Sequence, residues 1–331
     1  MADVLYSIRD LTVEYPTRAG PAVAVDSVSL DIERGEILGL VGESGCGKST
    51  LGRALMRLPS GPARITSGEL WFDGVDLMTL SERRLREIRG GRIGMVFQDP
   101  MTSLNPVQRI IDHLTETMHT HKPGLSADAA RQRAERLVER LGIRRDRIDD
   151  YPHQMSGGMR QRVMIALALA LDCDLVIADE PTTSLDVIVE AKFLDLLKDL
   201  QREFNLTIVL ITHNIGVVAE VADRVAVMYA GRLAEAASVD ALFADPKHPY
   251  TQGLLRSVPN LALDGGELYR MEGAPPNLLD PPHGCRFNPR CPHAMDVCRS
   301  ENPALDPVGH DTTPHLVSCW LYDEEAAHAH V

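Results

Sequence analysis

At 331 residues with 44% hydrophobic side chains, the chain is long enough to bury a substantial core and to hold one large and one small domain. Its formal net charge of −13 argues against nucleic acid or an anionic lipid surface as the main partner. No stretch nears the roughly 18 apolar residues of a membrane span, and Met1-Ala2-Asp3-Val4 lacks the opening of a signal peptide, so the six cysteines read as thiols or metal ligands of a cytosolic chain before they read as disulfides.

Apolar and β-branched runs predict strands over 4–15, 23–32 and 36–41. The third strand leads into Gly42-Glu43-Ser44-Gly45-Cys46-Gly47-Lys48-Ser49-Thr50, which fits the pattern G-x-x-x-x-G-K-[ST], with a helix-compatible stretch behind it. Gly42, Gly45 and Gly47 let the backbone wrap tightly, so that the N–H groups of the loop, those of Ser44 and Cys46 included, point at phosphate oxygens. The N-terminus of the following helix adds partial positive charge. Lys48 supplies the full charge. Ser49 is the expected Mg²⁺ ligand, with Thr50 one position further along the helix. Cys46 and Cys173 read as small apolar fillers.

Strands over 68–72 and 92–97 come next, followed by amphipathic helices over 107–118 and 127–141 that a Lys122-Pro123-Gly124 breaker separates. This region predicts a helical subdomain. Beyond it, 157–171 reads as helix, 175–178 as a buried strand, 187–203 as helix, and 207–212 and 224–229 as strands, the alternation that α/β folds require. Ser156, Gly157 and Gly158 open the first of these helices. A hydroxyl and two unhindered amides at a helix start make a second anion site.

The apolar run 175–178 ends in Asp179-Glu180, which places two carboxylates at the carboxyl end of a strand, where α/β sheets bind ligands. Asp179 is expected to hold Mg²⁺ from its outer coordination sphere, and Glu180 to orient and polarise an attacking water. From about residue 246 proline density rises and periodicity falls, which marks a small C-terminal module. Its Cys285, Cys291, Cys298 and Cys319 are separated by five, six and twenty residues. Four soft ligands suit either tetrahedral Zn²⁺ or an iron–sulfur cluster, and His283, His293, His310 or His315 could replace one of them. Residues 323–331 read as a disordered polar tail.

With these motifs in order, residues 4–236 resemble the ATP-binding subunits of ABC transporters. The resemblance implies an α/β P-loop NTPase fold of the ABC nucleotide-binding type over 1–245, with a RecA-like core, an antiparallel β subdomain and a helical subdomain near 99–172. An extension over 246–322 and the tail follow. It also implies that Ser156, Gly157 and Gly158 cap the γ-phosphate of ATP held by a second cassette. Gln98 is implied to contact Mg²⁺ and the lytic water, His213 the γ-phosphate, and Tyr15 to stack on adenine. Ser184-Leu185-Asp186 would cross the cassette interface beside the nucleotide. Asn214 stands where the group more usually has Asp.

Residues 99–106 and His248-Pro249-Tyr250-Thr251 resemble the dipeptide, oligopeptide and nickel importer group. Peptide-importer ATPases of that group carry a [4Fe-4S] cluster in a similar extension, which favours iron–sulfur over zinc. The implied function is ATP hydrolysis that drives import of di- or oligopeptides. The implied partners are two transmembrane permease subunits, a second ABC ATPase expected to be a different chain, and an extracytoplasmic substrate-binding protein, with no nucleic acid. The implied place is peripheral, on the cytoplasmic face of the inner membrane. Alternatives are an importer ATPase for nickel or another small solute, and a soluble ABC ATPase acting on nucleic acid or ribosomes.

Overall fold

The computed structural model of the chain describes residues 3–98, 103–183, 185–257, 271–309 and 314–323. The strands are β1 (Val4–Thr17), β2 (Gly20–Glu33), β3 (Ile37–Val41), β4 (Arg64–Phe72), β5 (Val75–Asp76), β6 (Ile93–Val96), β7 (Leu175–Asp179), β8 (Thr207–Thr212), β9 (Arg224–Tyr229), β10 (Arg232–Ser238), β11 (Asp306–Pro307) and β12 (Leu316–Val317). The helices are α1 (Lys48–Ala54), α2 (Glu82–Ile88), α3 (Ile110–His121), α4 (Ala127–Arg140), α5 (Gly157–Leu169), α6 (Val187–Phe204), α7 (Ile215–Val221), α8 (Val239–Ala244), α9 (Pro249–Arg256) and α10 (Val297–Ser300). The chain divides into two compact units, one of Met1–Ile32, Leu38–Met78 and Thr212–Val331, the other of Glu33–Ile37 and Thr79–Ile211.

In the first unit an antiparallel sheet runs in the order β2-β1-β4-β5. Alternation along β1 sends Tyr6 and Ile8 inward, and their cross-strand partners Phe72 and Leu70 are buried with them. The register shifts between Arg9 and Thr12. Gly68 lies beside this bulge with φ +105, and a Cβ there would sit 2.5 Å from the Cα of Leu11, so the bulge requires glycine.

The second sheet of this unit runs β11-β12-β10-β9-β3. β3 pairs with β9 in parallel, from Leu38 opposite Arg224 to Val41 opposite Val227, while β10 and β12 are antiparallel additions. Periodicity did not foretell β10, β11 or β12, because β11 and β12 are two residues each and β10 is alanine-rich and buried on both faces. Val41, Val218, Val225, Val227, Leu242, Tyr250 and Phe287 share one core, so residues beyond 246 bury side chains together with β3 and β9.

The second unit holds the parallel strands β6, β7 and β8, paired from Ile93 opposite Leu175 and from Leu175 opposite Thr207. All of their residues are buried, which explains the unbroken apolar runs. Helices α3 and α4 bury Leu114, Met118, Ala130, Ala134 and Val138, and they are parted at Lys122 as predicted. Residues 99–102, where the helical subdomain was expected to begin, lie outside the described residues, as do Ser184, His310 and 324–331 of the expected tail. Among the described residues no helix is long and apolar enough to cross a membrane.

Candidate nucleotide-binding site

The loop Gly42–Thr50 joins β3 to α1 through two glycines that no other residue could replace. Gly47 has φ +108, and a Cβ there would lie 2.0 Å from the carbonyl oxygen of Ala24; a Cβ on Gly42 would lie 2.1 Å from that of Met228. The backbone is therefore wrapped as closely as a phosphate cradle needs. Ser44 and Gly45 face solvent, and Ser49 and Thr50 are half-buried in the first turn of α1. Lys48 is 5% exposed. Its ammonium donates to the carbonyls of Gly42, at 2.7 Å, and Glu43, at 3.0 Å, so the charge is drawn into the curl of the loop. Burial pushes the Cys46 thiol up despite the nearby lysine, and the side chain is a neutral filler as expected. Tyr15 and Thr50 share a hydroxyl–hydroxyl hydrogen bond of 3.2 Å, which fixes the Tyr15 ring at the start of α1.

Two residues from beyond position 228, Tyr250 and Arg290, grip this loop through their side chains, and sequence reasoning assigned chemistry to neither. The Glu43 N–H donates to the Tyr250 hydroxyl at 2.9 Å. The Glu43 carboxylate receives both terminal nitrogens of Arg290, at 2.8 and 3.0 Å, and Arg290 also donates to the Tyr229 hydroxyl at 3.2 Å. His248-Pro249-Tyr250-Thr251 therefore does more than open α9. No periodic signal links positions 43, 250 and 290, so only tertiary structure reveals the contact.

In the second unit Asp179 ends β7 with 1% exposure, and Glu180 follows at φ 46. A glutamate adopts this left-handed conformation only where its surroundings impose it. The imposition is visible: the Glu180 N–H donates to the Ile211 carbonyl at 2.8 Å, while the Thr183 hydroxyl and the Gln98 amide donate to one carboxylate oxygen at 2.8 and 3.1 Å. Gln98 and Glu180, 82 positions apart, are thus brought together as a pair. Thr183 was missed, because a threonine in a turn carries no signal of its own.

Ser156 caps α5, accepting the Met159 N–H at 3.3 Å, and both Ser156 and Gly157 are exposed. The two glycines differ. Nothing lies within 4 Å of a Cβ on Gly157, whereas a Cβ on Gly158 would meet Val189 at 2.8 Å. Gly158 lets α5 and α6 approach, and Gly157 keeps the helix start open to whatever approaches it. Asp186 caps α6 by accepting the Val189 N–H at 3.0 Å. Next to it Val187 and Ile188 are 81% and 69% exposed, an apolar pair facing solvent.

His213 is exposed after β8. Asn214 caps α7 by accepting the Gly216 N–H at 3.0 Å, which gives this departure from the expected Asp a structural task.

The expected metal site in the C-terminal region is corrected by the structure. Among the described residues no group of three or more His, Cys, Asp or Glu side chains is placed to hold a metal ion, so the iron–sulfur cluster on Cys285, Cys291, Cys298 and Cys319 and the zinc alternative both fall. Burial also pushes the Cys285 thiol up to about 11, the Cys319 thiol to about 12 and the Cys291 thiol upward, which disfavours the thiolate form that a metal would need. His315, a suggested substitute ligand, is committed instead to Glu235, with 2.6 Å between Nε2 and Oε1.

The model of the ABC transporter family matches residues 25–183, and that of the oligopeptide/dipeptide transporter C-terminal region matches residues 234–298. The dipeptide transport ATP-binding protein DppD of Bacillus subtilis is 48% identical over 326 residues, covering 98% of this chain and 96% of the relative. The dipeptide transport ATP-binding protein DppD of Escherichia coli is 45% identical, over 91% of this chain and 93% of the relative. Among solved structures, the dimeric post-hydrolysis state of the ATP-binding cassette MJ0796 bound to ADP and Pi is similar with a TM-score of 0.65 and 29% identity, over 71% of this chain and 98% of that one. The chain therefore belongs to the ABC transporter family, as an ATP-binding protein carrying the C-terminal region of the oligopeptide and dipeptide transporters.

Proposed function

We propose that this chain is the ATP-hydrolysing subunit of a membrane importer for di- or oligopeptides. The observation that carries the reading is the strained Glu180, held between Gln98 and Thr183 at the end of a buried strand: a carboxylate so positioned is built to orient a water. The full-length likeness to dipeptide transport ATP-binding proteins supports the peptide class.

The loop Gly42–Thr50 grips the triphosphate through its amides and Lys48, and Tyr15 stacks on the base. Ser49 and Gln98 would hold Mg²⁺, with Asp179 in its outer coordination sphere, and the ion would neutralise charge on the phosphate oxygens of bound ATP. A serine hydroxyl at a helix start is a hard oxygen donor of the kind this ion takes, and a buried carboxylate at a strand end suits its outer coordination sphere. Glu180 orients the water in line with the γ-phosphate, and His213 contacts that phosphate.

A second cassette seals the site through its own Ser156, Gly157 and Gly158, with Asp186 at the seam. The open Gly157 and the exposed Val187 and Ile188 support such a pairing face. ATP then joins the two cassettes and ADP does not, which closes and reopens two permease subunits supplied by a binding protein. The second ATPase is a different chain, and the complex works without nucleic acid. The cassette occupies residues 1–245 and the peptide-transporter extension 246–322, on the cytoplasmic face of the inner membrane.

Glu180→Gln tests the reading. It keeps the two hydrogen bonds' geometry but removes the charge that polarises water, so the ATPase rate of the assembled transporter is expected to fall at least about 100-fold while ATP still binds. Undiminished turnover would remove Glu180 from catalysis.

A further inference from the structure

Glu43 is an awkward residue for a phosphate cradle. Its carboxylate lies in the loop that receives a triphosphate, and an unpaired anion there opposes the ligand. Arg290 answers that charge with a two-point pair, 2.8 and 3.0 Å, and its side chain is only 5% exposed while that of Glu43 is 26% exposed. The Arg290 Nε donates to the Glu272 carbonyl at 3.0 Å, and the guanidinium lies 5.7 Å from the Tyr229 ring centre and 6.0 Å from that of Phe287. The pair with Glu43 holds Arg290 firmly in its charged form.

The same glutamate is fixed along its backbone. Its N–H is taken by Tyr250, a fully buried residue whose ring lies 4.6 Å from that of Tyr229 and 5.6 Å from that of Phe287. Its carbonyl accepts from Lys48 at 3.0 Å. Further along the loop the Gly231 N–H donates to the Cys46 carbonyl at 2.9 Å. An aromatic block of Tyr229, Tyr250 and Phe287 thus carries one arginine to one loop carboxylate. The lysine expected to meet phosphate hangs from the same residue.

We propose that Arg290 is a positioning residue for ATP that acts by charge: its pair with Glu43 cancels the one carboxylate of the phosphate loop, so that tight nucleotide binding depends on the extension being docked. This inference rests on Gly42–Thr50 being the phosphate loop, and it makes the C-terminal region a determinant of nucleotide affinity.

The test is equilibrium binding of Mg-ATP to the full-length chain, with Lys48→Ala, Arg290→Gln, Glu43→Gln and the double variant Glu43→Gln/Arg290→Gln. Lys48→Ala is expected to abolish binding; unaltered binding by that variant would overturn the phosphate-loop reading itself. Arg290→Gln is expected to weaken ATP about tenfold, because it unmasks Glu43. Glu43→Gln is expected to bind ATP as tightly as the wild type, and to restore affinity to Arg290→Gln within about twofold. In the assembled transporter the same Arg290→Gln variant should raise KM for ATP and leave kcat within about twofold.

A merely mechanical tether gives the opposite pattern, since removing either side of it loosens the loop. Lost binding in Lys48→Ala together with unchanged affinity in Arg290→Gln, or with no restoration by Glu43→Gln, overturns the proposal and leaves the phosphate loop standing. If Arg290→Gln does not fold, Glu43→Gln alone decides: weakened ATP binding in that variant contradicts charge cancellation.

Discussion

Glu180 receives two hydrogen bonds on one oxygen, and their donors have separable tasks. Gln98 arrives from the end of β6, whereas Thr183 lies three positions away in the same turn as the left-handed backbone. Removing the Thr183 hydroxyl with Thr183→Val frees the carboxylate to rotate without altering the phosphate loop. Turnover is then expected to fall about three- to tenfold with KM for ATP unchanged, read from steady-state ATPase kinetics. A rise in KM with constant kcat would assign Thr183 to nucleotide binding instead. At this scale the acids were legible, because a short apolar run that stops at Asp179-Glu180 marks the carboxyl end of a buried strand. Thr183 and Arg290 were not legible, since a side-chain contact across a turn or across 247 positions leaves no mark on local pattern. The four C-terminal cysteines show the reverse failure: their crowding in sequence suggested a metal that their placement does not support.

Helix starts carry most of the site, and one of them is titratable. The Tyr250 N–H at the head of α9 donates to the His248 Nδ1 at 3.0 Å, while the His248 N–H donates to the buried carboxylate of Glu235 at 2.9 Å. Burial drives His248 down from its ordinary 6.5 to about 4, so the imidazole is neutral in the folded chain. A depressed histidine means that the unfolded chain binds the proton first. The stability it contributes is complete above about pH 6.5 and is lost as pH falls towards 4. Urea unfolding at pH 7 and pH 5 should differ by on the order of 2 kcal/mol from this group, and His248→Asn should reduce the difference. Asp26 does not confound that window. Although burial raises it, Arg232 and Arg286 hold it below its usual value of 3.8, so its share is lost only in stronger acid. Equal stability of the wild-type chain at pH 7 and 5 would show that His248 is not held neutral. Among elements, the long periodic helices α4 and α6 and the apolar strands β3, β7 and β8 were readable from pattern alone. The short strands β11 and β12 exist only because β10 offers them an edge.

At the scale of the whole molecule, the residues beyond 246 are not an appendage. They share a core with β9 and reach the phosphate loop through Tyr250 and Arg290, which a rise in proline density could not convey. The α/β class followed from alternating elements and the family from motif order, but the route by which the last third of the chain touches the first was hidden. The proposed function calls for a second cassette, and the helix start at Ser156 and Gly157 faces solvent, open to one. Sedimentation velocity of the Glu180→Gln chain, alone and mixed with the second ATPase of its complex, with and without Mg-ATP, tests this most directly. The account predicts a two-cassette species only when ATP is present, abolished by adding Ser156→Arg, a change that leaves ATP binding by the single chain intact. ATP binding with no change in sedimentation, or loss of that binding on Ser156→Arg, would contradict it.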